Sequence, residues 1–213
     1  MSEKEREWGK IVLSIKNCTA CPLHKTRTHP VPGEGSLNAK VMFIGEAPGR
    51  REDETGRPFV GAAGKLLHEL LSLAGLRREE VFITNVVKCR PPNNRDPTEE
   101  EVEACSKHTK KIIKLVDPEI IVTLGNHSGR YIVEVVGGGE WRGVTRSRGR
   151  PLELRIFGAV RKVLPTYHPA AALYNPRLRA KLEEDFRMLK KLITPQEKLS
   201  GKRRNLLDFL GKG

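Results

Sequence analysis

Apolar residues recur at helical spacing along much of the chain, and short apolar runs of strand length stand between those stretches. Trp8, Ile11, Val12 and Ile15 fall at i, i+3, i+4 and i+7, which predicts an amphipathic helix over residues 3–17. Ser2 and Glu5 form a capping box at its start. Leu66, Leu67, Leu70, Leu71 and Leu73 with Ala74 mark a second helix, stopped by Gly75. Thr98 and Glu101 cap a third that runs to about Val116, with Pro118 beyond it. A fourth follows Gly125 to about Val136, and Asn175-Pro176 opens a last one to about Ile193. The apolar runs Lys40–Gly45, Val81–Val87, Glu119–Leu124 and Val163–Tyr167 predict four strands. Residues 22–39 carry three prolines and two glycines and read as loop. Residues 142–162 hold seven basic residues and one acid and read as a basic hairpin.

Strands alternating with helices predict an α/β fold, a three-layer sandwich with a central, mostly parallel four-stranded sheet flanked by helices. In such sheets ligands bind beyond the carboxyl ends of the strands. Chemistry is therefore sought in residues 46–51, 88–95, 125–128 and 168–174.

Composition narrows the class. At 213 residues the chain makes one domain, expected over 1–194, followed by a polar, basic tail over 195–213. No apolar run approaches the length of about 18 residues that a membrane helix needs. The start, Met1-Ser2-Glu3-Lys4-Glu5-Arg6-Glu7, has no apolar segment of the signal-peptide kind. A cytoplasmic monomer is the expectation. The 39 basic residues against 26 acidic ones leave a formal charge of +13, which favours polyanions, nucleic acid ahead of an anionic membrane surface.

Cys18, Cys21, Cys89 and Cys105 change the picture further. In a reducing compartment two structural disulfides are not expected. Cys18-Thr-Ala-Cys21 brings two thiolates within reach of one metal centre, but Cys89 and Cys105 form no second tight pair, as a zinc ribbon would require. Four thiolates around an iron–sulfur cluster suit the spacing at least as well. A redox C-x-x-C with two buried core cysteines is the alternative.

Four strand-end features carry candidate chemistry. Gly45-Glu46-Ala47-Pro48-Gly49 is a tight turn with backbone N–H groups available to an anion, without the lysine of a P-loop or the glycine spacing of a dinucleotide fingerprint. Phe59, between Gly56 and Gly61, is placed either to stack on a base or to fill the core. Asn85 inside an apolar strand needs a partner for its amide, which a pyrimidine edge or a neighbouring loop would supply. His168 ends the fourth strand, where it is positioned to stabilise a developing oxyanion. His127, after the third strand, is the second histidine candidate.

In order along the chain, GEAPG with REDETGRPFVGAAG, then TNVVKCRPPNNRDPT, then PTYHPAAAL resemble the fourth family of uracil-DNA glycosylases, the thermostable iron–sulfur type. The resemblance covers about residues 9–193. It implies that Phe59 stacks on a flipped uracil, that Asn85 reads its O4 and N3–H, and that His168 faces O2 and stabilises the departing anion. Glu46 is implied beside the sugar and the attacking water, and Glu52 at the C5 side, where thymine is rejected. Ala47 lines the same pocket and stands where the best-known glycosylases of the superfamily have aspartate, which leaves Glu46 as the expected base. The resemblance also implies a structural [4Fe-4S] cluster on Cys18, Cys21, Cys89 and Cys105. Position 172 is alanine where the family offers a wedging leucine, so the wedge is expected at Leu173 or Tyr174. No histidine-bearing insertion of the covalently trapping branch is present, which implies hydrolysis to an abasic site. The rivals are an inactive, polymerase-associated DNA-binding homologue and a cluster-bearing redox protein.

Two basic elements complete the expectation. Arg142, Arg146, Arg148 and Arg150 lie within nine residues and are candidate phosphate contacts. In the tail, Leu206, Phe209 and Leu210 resemble a degenerate sliding-clamp-binding box that begins at Arg203 instead of the usual glutamine.

Overall fold

The computed structural model describes residues 1–194; Leu206, Phe209 and Leu210 lie outside them. Its elements are α1 (Glu3–Lys16), β1 (Glu34–Gly35), β2 (Val41–Gly45), α2 (Arg50–Thr55), α3 (Ala62–Leu73), β3 (Phe82–Asn85), α4 (Glu99–Val116) and β4 (Ile120–Leu124). Then come α5 (Asn126–Arg130), which continues as a π-helical turn over Tyr131–Val136, α6 (Val144–Ser147), β5 (Leu152–Ile156), β6 (Ala159–Thr166), α7 (Pro169–Ala172) and α8 (Pro176–Ile193). The predicted capping boxes form at both α1 and α4, where Ser2 and Thr98 accept from the backbone N–H groups of Glu5 and Glu101.

The sheet has the order β1-β3-β2-β4-β6-β5. Its centre, β3-β2-β4-β6, is parallel and consists of the four predicted strands. Two antiparallel edge strands raise the number from four to six. β1 has only two residues, too few to show any period. β5 alternates Leu152, Leu154 and Ile156 inward against exposed Glu153 and Arg155, as a half-covered edge strand does. The predicted basic hairpin is therefore shorter than 142–162. It starts at Leu152, because Gly143 and Gly149, at φ of 81° and 66°, and Pro151 keep the preceding segment in loop and the short α6.

Each central strand is buried on both faces. Met42 and Ile44 of β2 join α1 and α4 in one core with Ile11, Ile15, Ile112 and Ile113. Val41 and Phe43 face the other way, toward Leu67, Leu71, Leu182 and Phe186 of α3 and α8. Phe43 and Phe186 stack there, ring centroids 5.8 Å apart. Helices thus cover both faces, leaving the carboxyl edge of the parallel strands as the open end. Among the described residues no helix is long and apolar enough to cross a membrane.

Candidate active site

All four parallel strands deliver a polar side chain to that open edge. β2 runs through Gly45 into Glu46, β3 ends on Asn85, β4 leads through Gly125 into α5 with His127, and β6 leads through Tyr167 to His168. The β2–β3 pairing extends past the strands, since the N–H of Val86 donates to the Gly45 carbonyl at 2.9 Å and that of Val87 to Glu46 at 3.1 Å. Glu46 and Asn85 are thereby locked side by side. Glu46, Ala47, Glu52, Phe59, Asn85 and His168 line one cavity of about 310 Å³, a size suited to a small molecule. The structure brings together all six pocket residues singled out from the sequence.

Asn85 supplies the sharpest chemical signal. Its side chain is 1% exposed, yet its Oδ1 has no hydrogen-bond partner. A buried amide oxygen left alone costs on the order of 1–3 kcal/mol, and Asn85 lines the cavity beside Phe59 and His168. Gly45 makes room for it: a Cβ there would lie 2.3 Å from Asn85 Oδ1 and 2.8 Å from the Phe59 ring.

Phe59 is both tucked in and presented to the cavity. Its backbone sits at φ of 51°, a conformation that bulky residues avoid. Arg78 holds it there by donating to the carbonyls of Phe59 at 3.3 Å and Pro58 at 2.5 Å. Glu52 fixes the next residues, its Oε1 accepting from Val60 and Gly61 N–H at 2.8 and 2.9 Å. Glu52 therefore shapes the loop that carries the aromatic wall. The rings of Phe59 and His168 lie 5.6 Å apart between centroids, inclined by 27°.

His168 caps α7, and its Nδ1 accepts the N–H of Ala170 at 3.1 Å. Desolvation holds its pKa down to about 4. The ring is neutral at neutral pH, and its proton resides on Nε2, free to donate. Glu46 has the opposite perturbation. Burial raises its pKa, His127 works to lower it, and Asp96 raises it further. Asp96 is a site residue that sequence reasoning missed; it lies one position beyond the segment marked after β3, in an ordinary-looking polar loop.

Cys18, Cys21, Cys89 and Cys105 converge on a second cavity between α1, the loop after β3 and α4. No pair of them is joined as a disulfide. Burial pushes the Cys105 thiol up to about 11 and raises Cys89 and Cys21. Arg27 donates to Cys89 Sγ at 3.1 Å. Lys88 is wholly buried in the same wall, its pKa lowered to about 8 by desolvation and opposed by Cys105 and Cys89. None of the residues lining the cavity is a carboxylate. Four sulfur donors faced by two cations suit an anionic thiolate-bound centre, and a thiol pair with two inert core cysteines leaves those cations unexplained.

The basic segment divides. Arg142, Arg146 and Arg150 are exposed. The Arg148 side chain is only 18% exposed and grips buried Asp185 through Nε at 3.1 Å and Nη2 at 2.6 Å. Thr166 donates to the same carboxylate at 2.5 Å. Arg148 therefore ties α6 to α8 and β6, a role that its expected phosphate contact did not include. At the α7 tip Leu173 is exposed and Tyr174 is 92% exposed, while Ala172 is buried.

A parallel sheet with an aromatic wall, an unpartnered amide and a neutral histidine at its carboxyl edge defines an α/β protein built to hold a planar heterocycle. The family model of the uracil DNA glycosylase superfamily matches residues 32–192, and the chain belongs to that superfamily, in its type-4 branch. It is 52% identical over 189 residues to the type-4 uracil-DNA glycosylase of Sulfurisphaera tokodaii, covering 88% of this chain and 86% of the relative. The type-4 uracil-DNA glycosylases of Archaeoglobus fulgidus, 50% identical over 85% of this chain and 91% of the relative, and of Thermotoga maritima, 47% identical over 84% and 91%, are similar in the same way.

Proposed function

We propose that this protein is a DNA-repair glycosylase that flips uracil out of DNA and hydrolyses its N-glycosidic bond. The observation that carries the reading is the buried, unpartnered Oδ1 of Asn85 at the open edge of the sheet. An amide has an acceptor and a donor side by side, which match N3–H and O4 of uracil. Cytosine has an acceptor at N3 and a donor at N4, so an amide held in the uracil-reading orientation is mismatched to it. Phe59 stacks on the extruded ring, and Glu52 holds the loop that closes the pocket.

As the glycosidic bond breaks, its electron pair passes to uracil and leaves an oxocarbenium-like sugar. Nε2–H of neutral His168 donates toward O2, where the charge collects. Water adds to C1′ and gives its proton to Glu46. The departed uracil anion takes a proton from solvent and Glu46 gives its own back, which leaves free uracil, an abasic site and the ionised base. A neutral donor suits this step because it stabilises the leaving anion without having to be charged beforehand.

We assign the four cysteines a [4Fe-4S] cluster, which when bound supplies a structural cross-link. Cys18 and Cys21 anchor the end of α1, Cys89 the loop after β3 and Cys105 the helix α4. Lys88 offsets the charge of the thiolates and also donates to Thr84 Oγ1 at 2.9 Å and to the Asn85 carbonyl, which links the cysteine cavity to the strand that bears Asn85. Arg142, Arg146 and Arg150 steer DNA phosphates, and Leu173 with Tyr174 meets the gap left by the flipped base. A monomer acting in the cytoplasm is part of the same reading. So is docking of the tail residues Leu206, Phe209 and Leu210 on a sliding clamp, checked by clamp pull-down with residues 200–213 deleted.

The test of function is release of uracil from a uracil-containing oligonucleotide without added metal. A protein that binds the oligonucleotide and releases no base would be the inactive homologue instead.

A further inference from the structure

Glu46 is served from two sides. One face of its carboxylate looks into the pocket with Phe59, Asn85 and His168. Glu46 also lines a separate groove of about 840 Å³ between α4 and the π-helical turn, as does His127. His127 Nε2 lies 3.0 Å from Asp96 Oδ2 and 3.9 Å from Glu46 Oε2. The three ligand atoms lie within 4.8 Å of one another, although they come from the turn after β2, the loop after β3 and α5.

The other charges around this point are already engaged or remote. Arg95, in the pocket wall, is held by Glu101 at 2.7 and 2.8 Å. Arg130, one turn after His127, is held by Glu134 at 3.0 Å and by Glu99 at 3.2 Å. Glu103, Lys107 and Lys110 of α4 line the groove but do not contact the carboxylate. Among the described residues, His127 is the basic group paired with Glu46.

We infer that His127, oriented by Asp96, is a positioning residue that holds Glu46 in place and favours its ionised form. The inference rests on the reading of Glu46 as the base. Nε2 hydrogen-bonds to Asp96 at 3.0 Å and stands 3.9 Å from Glu46, an ion-pair separation without a hydrogen bond. Bonded to Asp96, it keeps the imidazole edge against Glu46. His127 lies 3.9 Å from this half-buried carboxylate and opposes the desolvation that works against its charged form. Asp96 is exposed and fixes the orientation of the His127 ring from the side away from the pocket lining.

The test is single-turnover uracil release by the full chain across pH, with DNA binding measured in parallel. His127→Ala is expected to lower the rate by about ten- to a hundredfold at unchanged DNA affinity. Its acid limb is expected to move to higher pH, because Glu46 loses the neighbour that works against its raised pKa. His127→Gln keeps a donor without the imidazole. It should recover part of the rate and leave the limb displaced, and it stands in if the alanine variant fails to fold. Wild-type rate and wild-type limb in a folded variant would overturn the inference. So would a rate loss with the limb unmoved in both variants, which marks a merely structural histidine. Glu46→Gln separates the two levels: full activity there would remove Glu46 as the base and this inference with it, while leaving uracil release itself standing.

Discussion

His168 takes the backbone N–H of Ala170 on its Nδ1 at 3.1 Å, and that one contact dictates which ring nitrogen carries the proton. The histidine is at once the cap of a short helix and a donor aimed at the pocket, and burial keeps it neutral by holding its pKa to about 4. Its protonation therefore cannot set the acid side of the activity profile above about that value. The expected limb belongs to Glu46, whose pKa burial raises above the usual carboxylate range. Activity should be present when Glu46 is ionised and fall as pH drops through its raised value. A rate profile of wild type and His168→Asn checks this: the variant should be slower by about 10² or more with the limb in the same place.

Gly45 is where backbone and pocket meet. A methyl group there would overlap both Asn85 Oδ1 and the Phe59 ring. Gly45→Ala should therefore fold and bind DNA but lose uracil release by at least about 10². Gly64 is a contrasting control. A Cβ there would come within 1.9 Å of the Phe59 carbonyl, backbone against backbone, so Gly64→Ala should lower thermal stability as well as activity. Melting curves beside the activity assay separate the two.

For the cysteines, purified protein should be brown, with broad visible absorption and four irons per chain. Cys89→Ser should bleach the absorption and lower the melting temperature before it alters the pocket. A colourless protein containing one zinc would replace the cluster with a different centre. Lys88→Met should lower cluster retention, read by absorption after dialysis, because it strips a buried cation from the thiolate wall.

Replacing Arg142, Arg146 and Arg150 together by alanine should weaken binding alike for all sequences and reduce the salt slope by about one per lost phosphate contact. Arg148→Ala should behave differently. It leaves Asp185 buried without its cation, which costs roughly 3 kcal/mol of stability. Titrations at several salt concentrations and denaturation curves distinguish the two groups.

Much of this was legible in the sequence, for identifiable reasons. α1 and α4 showed both an apolar stripe and a capping box, so period and start signal agreed. The four central strands were short, mostly apolar runs of strand length. Glu46, Asn85 and His168 stood out because parallel strands present their ends at one edge, where a polar residue is conspicuous. α2, with the sequence RREDET, has no apolar stripe; its buried member is Asp53, which accepts from the N–H of Thr28 at 2.9 Å, a partner no local pattern reveals. Arg148 looked like its neighbours because a charge count cannot separate a solvated arginine from one whose partner lies 37 residues away. Asp96 was missed for the reverse reason, as an exposed acid in a polar loop that becomes distinctive only beside His127.

The central claim is that Asn85 presents its amide to uracil, and the most direct measurement quantifies free uracil and alkali-labile sites from a uracil-containing oligonucleotide, for wild type and Asn85→Ala at saturating enzyme. The account predicts equal amounts of uracil and abasic site from wild type and a rate lower by about 10² to 10³ in the variant. No uracil from wild type, or an unchanged rate in Asn85→Ala, would contradict it.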